Sequence, residues 1–290
     1  MKKGYQYLIY CITLFSLATL AACGGSGGTS AAYDSVQTAS YKVEYIPLTA
    51  PAEGKSTLKF RVTNKVTAAA VSGATVSLTP NMNMATGMSH GSPIGGITDN
   101  ADGTYSCTVY YLMASAMADG TPMGTWDLKF TVNGEDATFN PTVAMNMTNA
   151  RRALKGLADT IPGSMGGAPS KRTYSLFNDG SAGSSVKFFI AAVDNSAMTM
   201  FPPVYTGGTF HDAMSTPWIA SPVVVELSSD HTTWITATAG AYNGQWVGTI
   251  PSLVAGGTFY VRLTVNGEQK TTDGLAVGAT NGYQTFTAPM

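Results

Sequence analysis

From Tyr41 onward, apolar and polar residues alternate in short runs. Leu58, Phe60 and Val62 interleave with Lys59, Arg61 and Thr63, and similar runs hold Val76 and Leu78, then Tyr105, Cys107 and Val109, then Trp126, Leu128 and Phe130. A period of two puts each apolar set on one face of an extended backbone, so every run predicts a half-buried β-strand. Only Ala150 to Ala158 carries a weak helical period. The pattern predicts an all-β chain.

The pattern also recurs. Ser-Thr-Leu-Lys-Phe-Arg-Val from Ser56 matches Ser-Ser-Val-Lys-Phe-Phe-Ile from Ser184, and Gly-Thr-Trp-Asp-Leu-Lys-Phe-Thr-Val-Asn-Gly from Gly124 matches Gly-Thr-Phe-Tyr-Val-Arg-Leu-Thr-Val-Asn-Gly from Gly257. The run Gly103 to Val109 pairs with Gly244 to Ile250, and Val76-Ser77-Leu78 with Val225-Glu226-Leu227. In chain order the offsets between copies are 128, 149, 141 and 133 residues. Changing offsets locate length differences in the connecting loops, which tolerate insertion better than strands. Two related domains follow, and strands at this spacing bounded by turn residues predict tandem Ig-like β-sandwiches. The expected boundaries are a signal segment 1–22, a tether 23–40, a first sandwich 41–148, a linker 149–172 rich in Gly, Pro and Ser, and a second sandwich 173–290.

Composition narrows the class. Among 290 residues only 11% are charged, with 16 basic against 17 acidic side chains, so no basic excess exists for nucleic acid. Three cysteines supply no disulfide framework. Lys2 and Lys3 precede an apolar stretch, Leu8 to Leu20, that is short for a membrane span and reads as an export signal. Leu20-Ala21-Ala22-Cys23 then resembles a bacterial lipobox, which implies acylation of Cys23 and membrane attachment through lipid. Gly24 after the cysteine resembles lipoproteins sorted to the outer membrane of Gram-negative cells, and Gly24 to Gly28 suits a flexible tether. Cys107, which alternates with Tyr105 and Val109, is expected to be a small buried hydrophobe.

The unusual count is 14 methionines. Three of them lie with a histidine in Met82-Asn83-Met84-Ala85-Thr86-Gly87-Met88-Ser89-His90. Met82 and Met84 would share one face of a strand, and Met88 and His90 one face of its return after a turn at Ala85 to Gly87. Three thioethers and an imidazole converging in this way favour Cu(I), whereas zinc prefers thiolates or more histidines. Met113, Met117 and Met123 lie in a second segment in which the copies differ in length. Met198, Met200, His211 and Met214 lie in the insertion of the second copy. Methionine also serves as adaptable packing, so a surface that binds a protein partner without metal is the competing expectation.

Leu78 to Met84 and Met88 to Gly91, with Asp99 to Tyr105 and Gly124 to Leu128, resemble YtkA-like and FixH-like domains over about Tyr41 to Met147. The resemblance, which extends to periplasmic carriers of the CopC kind, implies a small Ig-like sandwich associated with copper handling or oxidase assembly. It carries Met82, Met84, Met88 and His90 as candidate metal ligands, while the competing metal-free surface would meet a protein partner in an envelope or respiratory assembly. Tyr105-x-Cys107 resembles the tyrosine corner and second cysteine of immunoglobulin domains, although no partner cysteine exists at Leu58, Phe60 or Val62. Gly87 to Gly91 fits G-x-S-x-G without the strand-to-helix context of a nucleophile elbow. Asp99 to Gly103 lacks EF-hand spacing. With no positioned acid–base pair, the chain is expected to bind and not to catalyse.

Overall fold

The structure is a computed structural model that describes residues 34–146, 150–163, 167–195, 199–251 and 253–288. The signal segment, Cys23, the glycines of the tether and Met198 lie outside the described residues. Among the described residues there is no helix.

The first domain contains β1 (Ser35–Gln37), β2 (Tyr41–Pro47), β3 (Gly54–Asn64), β4 (Val76–Met84) and β5 (Ser89–Gly91). It continues with β6 (Thr98–Asp99), β7 (Thr104–Tyr111), β8 (Gly124–Val132) and β9 (Glu135–Phe139). One sheet has the order β1-β2-β3-β7-β6 and the other β5-β4-β8-β9. Apart from the edge strand β1, this is the ABED against C′CFG division of an Ig-like sandwich. Leu58, Phe60, Val62, Trp126, Leu128 and Phe130 meet between the sheets, as their alternation requires. The expected tether ends early, because β1 pairs with β2 and Glu135 binds Thr38 and Ser40 in the intervening turn.

The second domain contains β10 (Arg151–Ile161), β11 (Ser170–Ala182), β12 (Ser185–Ala192), β13 (Thr209–His211), β14 (Pro217–Ile219) and β15 (Val223–Ser228). After these come β16 (Ile235–Thr236), β17 (Thr238–Ala239), β18 (Gln245–Thr249), β19 (Thr258–Val265), β20 (Glu268–Gln269) and β21 (Gln284–Thr287). Its sheets, β10-β11-β12-β18-β17 and β16-β15-β19-β20 with β21 also on β19, repeat the first topology. The β13–β14 hairpin is an addition.

The register of the two domains is equivalent strand by strand. Leu58 and Phe60 oppose Cys107 and Tyr105, while Val186 and Phe188 oppose Gly248 and Trp246, the pairing that offsets of 128 and 141 demand. One offset needs correction. Phe130 opposes Leu78, but its counterpart Leu263 opposes Val225, so β4 and β15 match at 147 residues and not 149. A slip of two residues keeps every side chain on its face, so alternation alone does not detect it.

Two other expectations change. The linker 149–172 is instead largely strand: β10 pairs with β11 and buries Leu154 and Ile161. Its register shifts between Lys155 and Thr160, and Glu268 accepts the bulge amides of Leu157 and Ala158 at 2.8 and 2.9 Å. That bulge breaks the period of two and leaves the weak helical pattern seen from Ala150. The second difference concerns Tyr105 and Cys107, which lie on β7, in the same sheet as β3. Tyr105 donates to Val71 O at 3.0 Å, and Cys107 sits beside Leu58 within that sheet, whereas an immunoglobulin disulfide crosses between sheets.

The outer face of the first sheet of each sandwich joins the two domains. Tyr110 stacks on Phe189 at 4.1 Å and packs near Phe177, with Leu112, Ala191, Phe201 and Tyr242 completing an apolar seam. Asp179 lies within it, its side chain fully buried, facing Lys55 Nζ at 2.8 Å and accepting from Tyr110 Oη at 2.7 Å. Gln245 Nε2 also donates to Asp179, and the Tyr110 and Tyr242 hydroxyls are 2.6 Å apart. Burial and the neighbouring carboxylate push the Tyr110 hydroxyl far above its ordinary range, so it remains a donor.

Removing one partner of a buried ion pair leaves the other charge uncompensated, at a cost of about 3–5 kcal/mol. Lys55→Ala leaves the fully buried Asp179 carboxylate without its cation and should therefore lower stability by about that amount. Scanning calorimetry should show one unfolding transition in the wild type and two in the variant, because the seam no longer couples the sandwiches.

Candidate metal centre

Strands β4 and β5 form the hairpin expected from the methionine spacing. Met82 opposes His90 and Asn83 opposes Ser89. Met84 N donates to Met88 O at 2.8 Å, and Gly87 N returns to Met84 O at 2.9 Å. Gly87, at φ 83°, takes the left-handed position that closes such a turn without a Cβ clash. Met82 and His90 are therefore cross-strand neighbours, with Cβ atoms of such pairs about 4.5–5.5 Å apart. Their environments differ from that of the hairpin tip. Met82 is fully buried in the sandwich core, Met84 is half-buried, His90 is 8% exposed and Met88 is 44% exposed.

The His90 ring has two polar neighbours. Nδ1 lies 2.8 Å from Gly91 O, and Nε2 lies 3.3 Å from Met113 Sδ. Met113 follows β7 directly and packs partly buried against the first core. Trp126 Nε1 donates to Met113 O at 3.1 Å, and the Trp126 ring meets His90 edge-on at 5.7 Å. Met123 also approaches this region, accepting at its carbonyl the Ala85 amide at 2.9 Å. The structure thus adds Met113 to the site. Its membership in a length-variable loop was visible in the sequence, but its approach to His90 depends on the connection after β7 folding over the sandwich end.

Burial drives the His90 pKa down from 6.5; the Gly91 carbonyl opposes this, and the positive charge of Arg151 adds to the lowering. Arg151 is itself pushed below its ordinary value by burial, with Glu53 pulling the other way. The ring is therefore neutral near pH 7 and carries one proton. Gly91 O and Met113 Sδ are both electron donors, and the carbonyl is the stronger acceptor, so the proton belongs on Nδ1. Nε2 then presents a lone pair to a thioether lone pair. That contact is improved by an electrophile between the two atoms, either a proton, which burial disfavours, or a soft cation.

The second domain covers this corner. Gly91 N donates to Thr199 O at 2.9 Å, and the Phe201 ring meets His90 edge-on at 5.9 Å. A Cβ at Gly91 would lie 3.1 Å from Met200 Sδ, so the missing side chain makes room for that approach. The counterpart turn of the second domain has no methionine hairpin. There Asp230 accepts the Thr232 and Thr233 amides, and His231 packs with Tyr260 and Tyr283.

Other sequence features resolve as structure. Asp99 accepts the Ala101 amide and Asp102 that of Thr104, which makes Asp99 to Gly103 a turn. Ser89 lies on a strand at the hairpin, not at a strand-to-helix turn. Cys107 is buried, and burial alone raises its thiol to about 12, which leaves it protonated. Among the described residues no three His, Cys, Asp or Glu side chains group to hold a metal ion, so a centre at His90 would have to be completed by thioethers.

No protein-family model matches the chain, and no curated protein matches it. Among solved structures, the Yersinia pseudotuberculosis adhesin InvE aligns at 14% identity over 86% of this chain and 59% of its own, with a TM-score of 0.26. Domains 5-6 of the S-layer protein SbsC align at 12% identity over 88% and 99%, with a TM-score of 0.24. A chimeric titin Z1Z2 aligns at 11% identity over 89% and 96%, with a TM-score of 0.20. The chain spans 59% of the InvE chain, and the Ig-like fold assigned to it rests on its own strand order.

Proposed function

We propose that this chain is a lipid-anchored, exported binding protein whose first sandwich holds Cu(I) between His90 and Met113, with Met82 and Met84 beside them and Met88 at the entrance. The observation that carries this reading is the 3.3 Å approach of a buried, neutral imidazole nitrogen to a thioether sulfur. With bonds of the lengths zinc makes, about 2.0 Å to nitrogen and about 2.3 Å to sulfur, one ion could touch both atoms from a position beside the line between them. Neutral donors in an apolar corner favour a monovalent soft cation over zinc or calcium. Resemblance of the Met82 to Gly91 segment to YtkA-like and FixH-like domains, and to CopC-like carriers, supports the same chemistry. Lipidation at Cys23 would place the protein in the cell envelope, at the outer membrane of a Gram-negative cell, where an envelope or respiratory protein is the expected recipient. Binding without catalysis remains the role assigned. A second reading, a methionine surface for a protein partner without metal, draws support from the exposure of Met88, Met117 and Met214.

A competition titration of the purified chain against a chromophoric Cu(I) chelator separates these readings. The wild type should bind, and His90→Ala or Met113→Leu should weaken binding by at least about tenfold, a loss of about 1.4 kcal/mol. Exposed Met88→Leu should weaken it less. No binding by the wild type would leave the partner-surface reading, and binding unchanged in all three variants would place the ion away from His90 and Met113.

Acidification gives an independent check. The folded-state pKa of His90 lies below its ordinary 6.5, so the unfolded chain takes up the proton first. The stability contributed by the neutral ring is complete above that value and declines as pH falls below it. Chemical denaturation should show a steeper loss as pH falls below about 6.5 in the wild type than in His90→Gln, and bound ion should be released only at lower pH, where the folded ring itself takes up a proton. For the anchor, Cys23→Ala should move the protein from the membrane to the soluble fraction in detergent-free fractionation.

A further inference from the structure

The insertion of the second domain places a second imidazole and a second thioether on a common groove. His211 Nδ1 lies 3.1 Å from Asp194 Oδ2, and the same oxygen accepts the His211 backbone amide at 3.0 Å. A carboxylate that accepts a hydrogen bond from Nδ1–H fixes the tautomer and the ring plane, and it leaves Nε2 as the coordinating nitrogen. Asp194 and Met200 exchange both of their backbone hydrogen bonds at 2.9 Å, so the residue that orients His211 also anchors Met200. His211 and Met200 both line a groove of about 480 Å³ between the sandwiches, with Leu78, Pro80, Ile94 and Phe201 among its walls. The His211 side chain is 34% exposed, and Met200 is 41% exposed although it is apolar. An oriented histidine, a soft donor and mainly apolar walls also define the arrangement at His90, but here the donors are open to solvent.

We infer that His211 and Met200 form a second soft-cation site in the groove between the two sandwiches, with Asp194 orienting His211. This inference rests on the reading of the chain as a Cu(I) protein. The site has two protein donors and an open side, so it binds more weakly than the enclosed centre at His90 and exchanges its ion faster. The Thr199–Gly91 hydrogen bond ties the loop carrying Met200 to the hairpin carrying His90, so both sites border one interdomain contact.

The test is Cu(I) stoichiometry of the full chain in detergent, read by stepwise removal with a chromophoric chelator. Two ions per chain are expected, one removed readily and one retained. Met200→Leu and His211→Gln should each lose the readily removed ion or release it at least tenfold more easily, and the retained ion should persist. His90→Ala combined with Met113→Leu should lose the retained ion and keep the other. Met200→Leu preserves volume and His211→Gln keeps a side-chain donor toward Asp194, and unchanged unfolding transitions in both would show that the fold is intact. One ion, lost only in the His90/Met113 variant, would overturn the groove site and leave the function proposed above intact. Two ions that are both indifferent to Met200→Leu and His211→Gln would also overturn it. One ion, lost only in the Met200 and His211 variants, would support the groove site and overturn the enclosed centre, and no ion at all would overturn both.

Discussion

A buried carboxylate with four polar neighbours holds the two sandwiches in one arrangement. Asp179 is taken out of water by the ring seam of Tyr110, Phe177 and Phe189, and it remains tolerable there because Lys55, Tyr110 and Gln245 reach it and Tyr242 lies against Tyr110. Apolar contact supplies area without direction, whereas a buried charge with few acceptable partners penalises any other docking angle. Lys55 and Tyr110 come from the first domain, and Gln245 and Tyr242 from the second. The fixed seam makes the contacts farther along the interface reproducible, including the Thr199 carbonyl on Gly91 and the Phe201 ring against His90.

The corner at His90 shows how core and site overlap. Met82 is fully buried and would be counted as packing in any sandwich, and Trp126 closes the same end of the core. Packing alone explains those two residues. It does not explain an imidazole with a carbonyl on one side and a sulfur on the other, since one neutral ring donates to only one of them. The electrostatic mismatch is small in water and larger where burial and Arg151 both disfavour a second proton. This contact distinguishes the corner from a merely methionine-rich interior.

The two domains share their strand framework and differ in their loops. Equivalent strands keep equivalent partners, down to Phe60 opposite Tyr105 and Phe188 opposite Trp246. Both copies pair this strand with the next, β4 with β5 and β15 with β16, but the first copy has the longer strand, running on to Met84, and the second inserts residues before β15, including the β13–β14 hairpin. Each of these regions carries a histidine and methionines, and the two meet at the interface. Strand pairing resists insertion because a one-residue change turns every side chain to the opposite face, while a loop absorbs it in solvent.

Alternation in the sequence determined the all-β class, the inward faces of β3, β7 and β8, the duplication and the shared face of Met82, Met84 and His90, because strand periodicity is local. It did not determine β10, whose bulge is stabilised by Glu268 from more than a hundred residues away, nor the 147-residue offset, because a slip of two preserves the pattern. One interface signal was present: Val186 to Ala192 contains the unbroken apolar run Phe188 to Ala192, as expected for a strand covered on both faces. Which surface covers it is a property of the docked pair. The same holds for the site, since the hairpin could be drawn from spacing, whereas Met113 against Nε2, Thr199 on Gly91 and Asp194 on His211 required distant loops to be brought together. Periodicity specifies which way a side chain faces; only the packed structure decides what it meets.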